Sequence, residues 1–455
     1  MAGLTWKAAL RFRLFLVVAL LLLGSVIGLP LLLKDDGTAR GFTQILLTYT
    51  LSSITGLLGF STLWLACGTL ARDIEECQIQ MVAVKPIARW QIWLGKWLGL
   101  VTLNAALLAI SGGSVFALLM WRSTRLPAEQ QKVLHNEVLV SRGSAKPKNV
   151  DAEIESDTEQ MFKDRLSKNP VGQADLAEVR KQIKEQVKAY YQLAPPNVSH
   201  PWQISLGAAK DTLHGEPLFL RIKFNAGNNS ASGTFDGVWY IGVPQKTKLW
   251  RSEVMSLSPE TYHEFEIPPD LFDENGVLTI QFWNPNETAL LFPLEDGIEV
   301  LYRQGGFALN YARGLGVIFC WMALLATLGL ASASFLSFPV AAFCSLGLLV
   351  MTFSSGTLAN AVSDGTIMGY NAENGVAGHS AIDSVVIPAF RGALRVINLA
   401  KGFSPIDSLS TGRSVSWEQL AQAFAQIVGL LGGVLALGGI TVFTRRELAT
   451  AQAVQ

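Results

Sequence analysis

The run Gly314–Ser363, GLGVIFCWMALLATLGLASASFLSFPVAAFCSLGLLVMTFSSGTLANAVS, is 50 residues long and holds no Asp, Glu, Lys or Arg. A helix needs about 20 apolar residues to cross a bilayer core, so the run is too long for one crossing and right for two. Ser334-Phe335-Leu336-Ser337-Phe338-Pro339 supplies the turn between them, because proline cannot continue a helix interior. Four further uncharged runs read as spans: Leu14–Leu33, Gly41–Ala71, Trp97–Trp121 and Gln419–Thr444. The expectation is a polytopic α-helical membrane protein with six transmembrane helices.

Composition adds a second part. The 455 residues are 50% hydrophobic and 16% charged, with 36 basic against 36 acidic groups. From Arg122 to Gly306 there are 45 charged residues in 185, whereas the other 27 are spread over 270. The middle therefore reads as a water-soluble insert between the third and fourth spans. Zero net charge excludes a strongly basic nucleic-acid binder. A cleaved leader at the N-terminus is the alternative to a first span: Lys7, Arg11 and Arg13 precede the apolar stretch. That stretch exceeds the usual leader length, and Pro30–Lys34 offers no small-x-small cleavage site.

Loop charges set the orientation. Residues 1–13, 71–96 and the tail after Thr444 carry Lys7, Arg11, Arg13, Arg72, Lys85, Arg89, Lys96, Arg445 and Arg446, so the positive-inside rule places both termini in the cytoplasm and the insert, residues 122–306, outside it. Residues 364–418 then form an external segment, in which Val385, Val386, Ile387, Phe390 and Leu394 against Arg391, Arg395 and Lys401 suggest an amphipathic helix at the membrane surface. Cys67, Cys320 and Cys344 fall in spans and Cys77 in an interior loop, with no disulfide framework.

The insert reads as α+β. Residues 127–193 are helical, with a hairpin broken at Asn169-Pro170-Val171-Gly172. Residues 200–303 alternate apolar and polar residues in short segments, Pro217–Phe224, Gly237–Val243, Tyr262–Ile267, Val277–Trp283 and Ile298–Tyr302, which suggests a β-sandwich. Trp202, Trp239, Tyr240, Trp250 and Trp283 are either core or stacking platforms for a carbohydrate. His200, His214 and His263 lack metal-ligand spacing. The chain carries no phosphate loop, nucleophile elbow or HExxH, so it reads as a non-enzyme without a metal or cofactor of its own.

The most informative stretch is Ala71–Trp97, ARDIEECQIQMVAVKPIARWQIWLGKW. Arg72, Asp73, Glu75 and Glu76 leave the second span. Ile74, Ile79, Met81 and Val82 then suggest a short amphipathic helix ended at Lys85-Pro86, and Ala88-Arg89-Trp90 starts a new helix running into the third span. Trp90, Trp93 and Trp97 fit an interfacial aromatic belt. This stretch resembles the coupling-helix region of the integral-membrane subunits of type-2 ABC exporters. The matching positions are Arg72, Glu75, Ile79, Lys85, Pro86, Ile87, Arg89, Ile92, Gly95 and Lys96; Cys77 departs from the usual Gly. Phe403–Gly412, Ser416-Trp417 and Phe443–Leu448 are similar to the same family's ending.

The resemblance implies a bacterial inner-membrane permease that pairs with a second copy or a paralogue. ATP and Mg are bound by separate cytoplasmic ATPase subunits docked on the face from Arg72 to Arg89, with Glu75 and Arg89 as charge partners, Gly95 allowing close packing and Lys96 snorkelling to the interface. Gly429 and Gly433 form a GxxxG suited to helix packing within the chain or between copies. Three functions stay open: an exporter, a transmitter of ATPase-driven motion to an envelope partner through the insert, and a membrane-anchored glycan- or protein-binding module.

Overall fold

A computed structural model describes residues 2–11, 13–32, 39–76, 79, 87–134, 138–168, 176–227, 232–243, 246–367, 370–371, 376–377 and 382–446. The chain divides into two compact units, Met1–Val140 with Gly306–Gln455, and Ser141–Gly305. Residues 122–140, grouped with the insert from sequence, join the first unit, where Leu134, Val138 and Leu139 enter its core.

The helical unit comprises α1 (Ala2–Arg11), α2 (Arg13–Leu32), α3 (Ala39–Glu75), α4 (Arg89–Ser123), α5 (Phe307–Ala333), α6 (Phe338–Phe353), α7 (Ser355–Asp364), α8 (Asp383–Lys401), α9 (Pro405–Ser410) and α10 (Trp417–Arg445), with a short helix Ala128–Val133 after α4. Among the described residues four helices are long and apolar enough to cross a membrane: Thr43–Glu75 within α3, α4, α5 and α10. The pair α6 and α7, bent by 64° at Ser354, makes a fifth if taken as one span. In α2 the apolar helix is the shorter Val17–Leu29. Six crossings are thus more than these helices alone establish.

The turn inside the uncharged run falls where the proline demands it. α5 ends at Ala333, Ser337 starts α6, and Pro339 sits in the first turn, where its missing N–H costs nothing. The bend at Ser354 was not foreseen; Ser354-Ser355-Gly356 is the kind of Ser/Gly sequence at which helices kink.

α3 organises this unit. Leu47, Leu51, Ile54, Leu58, Leu65 and Leu70 recur at helical spacing and are buried, the pattern of a helix with neighbours on several sides. α5 approaches α3 so closely that a Cβ on Gly329 would lie 2.6 Å from Ala66 Cβ and 3.0 Å from the Leu63 carbonyl. Gly439 does the same for α10, with its missing Cβ 2.9 Å from Ala331 Cα. Gly433 has open space instead, and Gly429 meets only the Phe424 carbonyl of its own helix, so the GxxxG contributes no packing among the described residues of this chain. From Phe424 to Gly432 α10 is wound as a π-helix. Residues 364–418, expected to lie outside the membrane, are partly built into this unit: Leu409 of α9 is buried against Gly314 of α5, and Asn310 holds the Arg413 carbonyl and the Val415 N–H.

The second unit contains β1 (Val140–Ala145), β2 (Leu193–Ala194), β3 (Ser199–Ser205), β4 (Leu218–Ile222), β5 (Asn225–Ala226), β6 (Phe235–Ile241), β7 (Trp250–Arg251), β8 (Met255–Leu257), β9 (His263–Ile267), β10 (Val277–Trp283), β11 (Leu290–Leu291) and β12 (Ile298–Gly306). One sheet runs β1-β12-β4-β9, a second β3-β10-β6-β7 with β8 also on β6, and a small third β2-β11-β5. The first two share a core in which Leu220, Ile222 and Val300 of one meet Trp239, Ile241 and Ile280 of the other, as alternating inward residues of two stacked sheets must. All five strands expected from alternation are present. β1 and β3 were missed: β1 carries Ser, Arg and Gly, and β3 contains Pro201, residues that read poorly as strand. Asp151–Lys168 and Leu176–Gln192 pair through Ile154, Ile183 and Val187, fringed by Arg180 on Glu155 and Glu159; the break at 169–172 lies outside the described residues.

The aromatic residues separate by burial. Trp239 is 0% exposed, enclosed by Trp202, Phe265, Phe282 and Phe292, and belongs to the core. Trp202, Tyr240 and Trp250 are half-buried, while Trp283 is exposed. The three histidines go to separate partners, His200 to Trp202, His214 to Asp270 and His263 to Thr261 and the Ser258 carbonyl. Burial pushes the His200 imidazole below its ordinary value.

Two outcomes follow. Gly329→Ala lowers the unfolding midpoint of the detergent-solubilised chain, by about 1–3 kcal/mol of overpacking, whereas Gly347→Ala, with nothing near it, leaves the midpoint unchanged or higher. Because folding favours neutral His200, stability falls as pH drops below the unfolded imidazole value near 6.5; thermal scans at pH 7.5 and 5.5 show a smaller acid loss for His200→Gln.

Candidate coupling site at the helix ends

At one end of the helical unit α3 and α5 finish, α4 and α6 begin, and α10 finishes. Each such end exposes backbone groups that its own helix cannot satisfy. α3 continues unbroken to Glu75, 37 residues or about 55 Å at 1.5 Å per residue, well past a hydrocarbon core of about 30 Å. α4 starts at Arg89, with the Ala88 N–H donating to Gln91 Oε1 at 3.3 Å. Residues Arg89, Trp93 and Lys96 fall at spacings of four and three and so share one face of α4.

Arg89 donates to the backbone carbonyls of Thr444 (2.9 Å) and Arg446 (2.8 Å), with that of Phe443 at 3.5 Å. It closes the C-terminus of α10, where the helix dipole also favours a cation. Arg446 in turn donates to the Ser334 carbonyl at 3.1 Å, at the end of α5, and the Trp93 indole N–H donates to Ser334 Oγ at 3.3 Å. Glu75 accepts the backbone N–H of Phe338 at 2.8 Å, placing a carboxylate on the N-terminus of α6. The Arg72 guanidinium lies 4.5 Å from the Phe338 ring centre. Lys96 binds Asp73 at 2.5 Å and the Thr69 carbonyl at 2.7 Å. Four helix ends, those of α10, α5, α6 and α3, are thereby fastened by side chains from other helices. Each such cap contributes about 1 kcal/mol.

Several sequence expectations are revised. Lys96, expected to snorkel outward, is 12% exposed and turned to Asp73, because the end of α3 offers a nearer anion and carbonyl than the interface does. Trp93 is 0% exposed and Trp97 donates to Thr327 Oγ1 at 2.8 Å, so of the three tryptophans assigned to a belt only Trp90 is exposed. Glu75 and Arg89 carry the two caps just described. Ile79 is buried with Leu70 and Phe443. Gly95 is half-buried and Glu76 exposed. Lys85, Pro86, Cys77, Met81 and Val82 lie outside the described residues. Ser334, Phe338 and Arg446 were missed as partners, since nothing in their local spacing shows that three distant helix ends converge. Among the described residues no group of three or more His, Cys, Asp or Glu is placed to hold a metal.

No family model, no curated protein and no solved structure matches this chain. The contacts join α3, α4, α5, α6 and α10 through side chains on the two flanks of the segment connecting α3 to α4.

Arg89→Met removes the cap of α10 and leaves the apolar packing of Trp93 and Phe443 in place. Hydrogen exchange should then quicken about tenfold at residues 441–446, the equivalent of the roughly 1.4 kcal/mol cap, and not at 417–423. Unaltered exchange at the helix end would refute the capping role.

Proposed function

We propose that the chain is the permease subunit of an ATP-driven transporter of the type-2 ABC exporter kind. The observation that carries this reading is the Arg72–Lys96 stretch, whose residue pattern resembles the family's coupling region and whose two flanks tie four helix ends together. An ATPase pressing on the connection between α3 and α4 would displace Arg89, Glu75 and Lys96 with it, and through them α10, α6 and α3. Motion started at one short segment is then shared by most of the spans, which alternating access requires.

The fuller picture has α2 and the bent α6–α7 pair as the first and fifth of six spans, both termini in the cytoplasm of a bacterial cell, and residues 122–306 in the periplasm. Two copies, or this chain and a paralogue, pair in the membrane. The open side of α10 at Gly429 and Gly433 supports such pairing, since it is small, apolar and uncovered within the chain. ATP and Mg belong to the partner. A second reading has the same strokes worked on an envelope partner with no cargo crossing; it is favoured by the separate core of residues 141–305.

The test is co-purification with the candidate ATPase, using Glu76→Arg combined with Lys85→Glu so that the caps stay intact. Loss of the complex and of stimulated ATP turnover, with unchanged membrane insertion, is the expected result. Undiminished assembly and turnover would overturn the docking assignment. Cargo uptake by the reconstituted complex then separates transport from transmission alone.

A further inference from the structure

The sandwich carries a cavity of about 880 Å³, lined by the 246–250 and 268–275 loops and His214. It lies beside β7, the edge strand of the five-stranded sheet, where Trp250 pairs with Ile241. One side of the Trp250 indole stacks on Phe265, with centroids 6.5 Å apart and planes at 28°. The ring is half-buried, packed against the sandwich core and at the same time part of the groove's lining, so it is held in place before any ligand arrives.

Both loops are set by their own side chains. The Thr247 hydroxyl accepts the Val243 N–H and reaches the Leu271 carbonyl, at 2.7 and 3.1 Å. Asp273 accepts the N–H groups of Asn275 and Val277, and Asp270, in the left-handed region at φ 59°, accepts that of Gly215. A groove prepared in this way spends little entropy on ordering when it binds.

Charge narrows the ligand. Lys246 lies 4.0 Å from Asp273 and His214 3.1 Å from Asp270, so the two lysines, Lys246 and Lys248, stand against three carboxylates, Asp270, Asp273 and Glu274. With two lysines and three carboxylates intermixed, the groove presents no patch of one sign to collect a polyanion or a polycation. What it offers is one aromatic plane surrounded by exposed donors and acceptors of both kinds, with His214 and Asn275 among them. A neutral ligand with an apolar face and a rim of hydroxyl groups matches that arrangement, and its volume lies within the range of small-molecule sites.

We infer that this groove is a binding site for a neutral oligosaccharide, with one sugar ring stacked on Trp250 and its hydroxyls shared among Asp270, Glu274, Asn275 and Lys248. The inference is independent of the coupling reading. It is tested on the full chain in lipid nanodiscs, free of sugar-headed detergent, by calorimetric titration with chitotetraose and with maltotetraose. At least one of them should bind saturably. Trp250→Ala and, separately, Asn275→Ala should weaken binding roughly tenfold or more, Asn275→Ala without moving the unfolding midpoint, and Trp283→Ala should leave binding intact. No heat from either sugar at about 10 mM, where even a millimolar Kd would register, overturns the site, as does equal weakening by Trp283→Ala and Trp250→Ala.

Discussion

The last carbonyls of a helix have no partner within it. This chain meets that constraint with side chains borrowed from neighbouring helices, Arg89 for α10 and Arg446 for α5. The acceptors at the end of α10 are the Phe443, Thr444 and Arg446 carbonyls, so withdrawing one guanidinium unsettles a helix more than 350 positions away in sequence. Arrangements of this kind make helix ends interdependent. Packing of the helix bodies, close at Gly329 and Gly439, supplies the rigid rods on which that interdependence acts.

The residues themselves disclosed much of this. Uncharged runs located the long helices, and Pro339 located the turn between α5 and α6, because hydropathy and a missing N–H are local properties. Alternation located β4, β6, β9, β10 and β12 for the same reason. Hidden from local pattern was everything fixed by convergence. Glu75 and Lys96 are polar residues at a helix boundary and look solvated until the neighbouring helix ends are in view. Trp93 looks like one of three belt tryptophans until Ser334 and Phe443 are found packed around it. The dual nature of the tryptophans in the sandwich was likewise undecidable from spacing: Trp239 and Trp250 differ in burial, not in neighbourhood along the chain.

Each unit has its own hydrophobic core, one built on α3 and one on Trp239 and its aromatic neighbours. The second is stitched by β-pairing and by ion pairs that include the buried Arg142–Glu264 contact, whose worth depends on both members remaining, since removing one leaves an uncompensated charge. The first relies on helix contacts and caps. The two therefore respond to different perturbations: overpacking at a glycine for one, protonation for the other.

The wide winding from Phe424 to Gly432 bears on how the final span should be drawn. A π turn advances fewer degrees per residue than an α turn, because each N–H reaches one residue further back. Positions on either side of this segment, such as Ala423 and Gly433, cannot be placed on a single wheel of period 3.6. At its end and beyond, Gly432 and Gly439 both face α5, at Thr327 and Ala331, while Gly429 and Gly433 meet no other helix among the described residues, giving this one helix two differently directed seams.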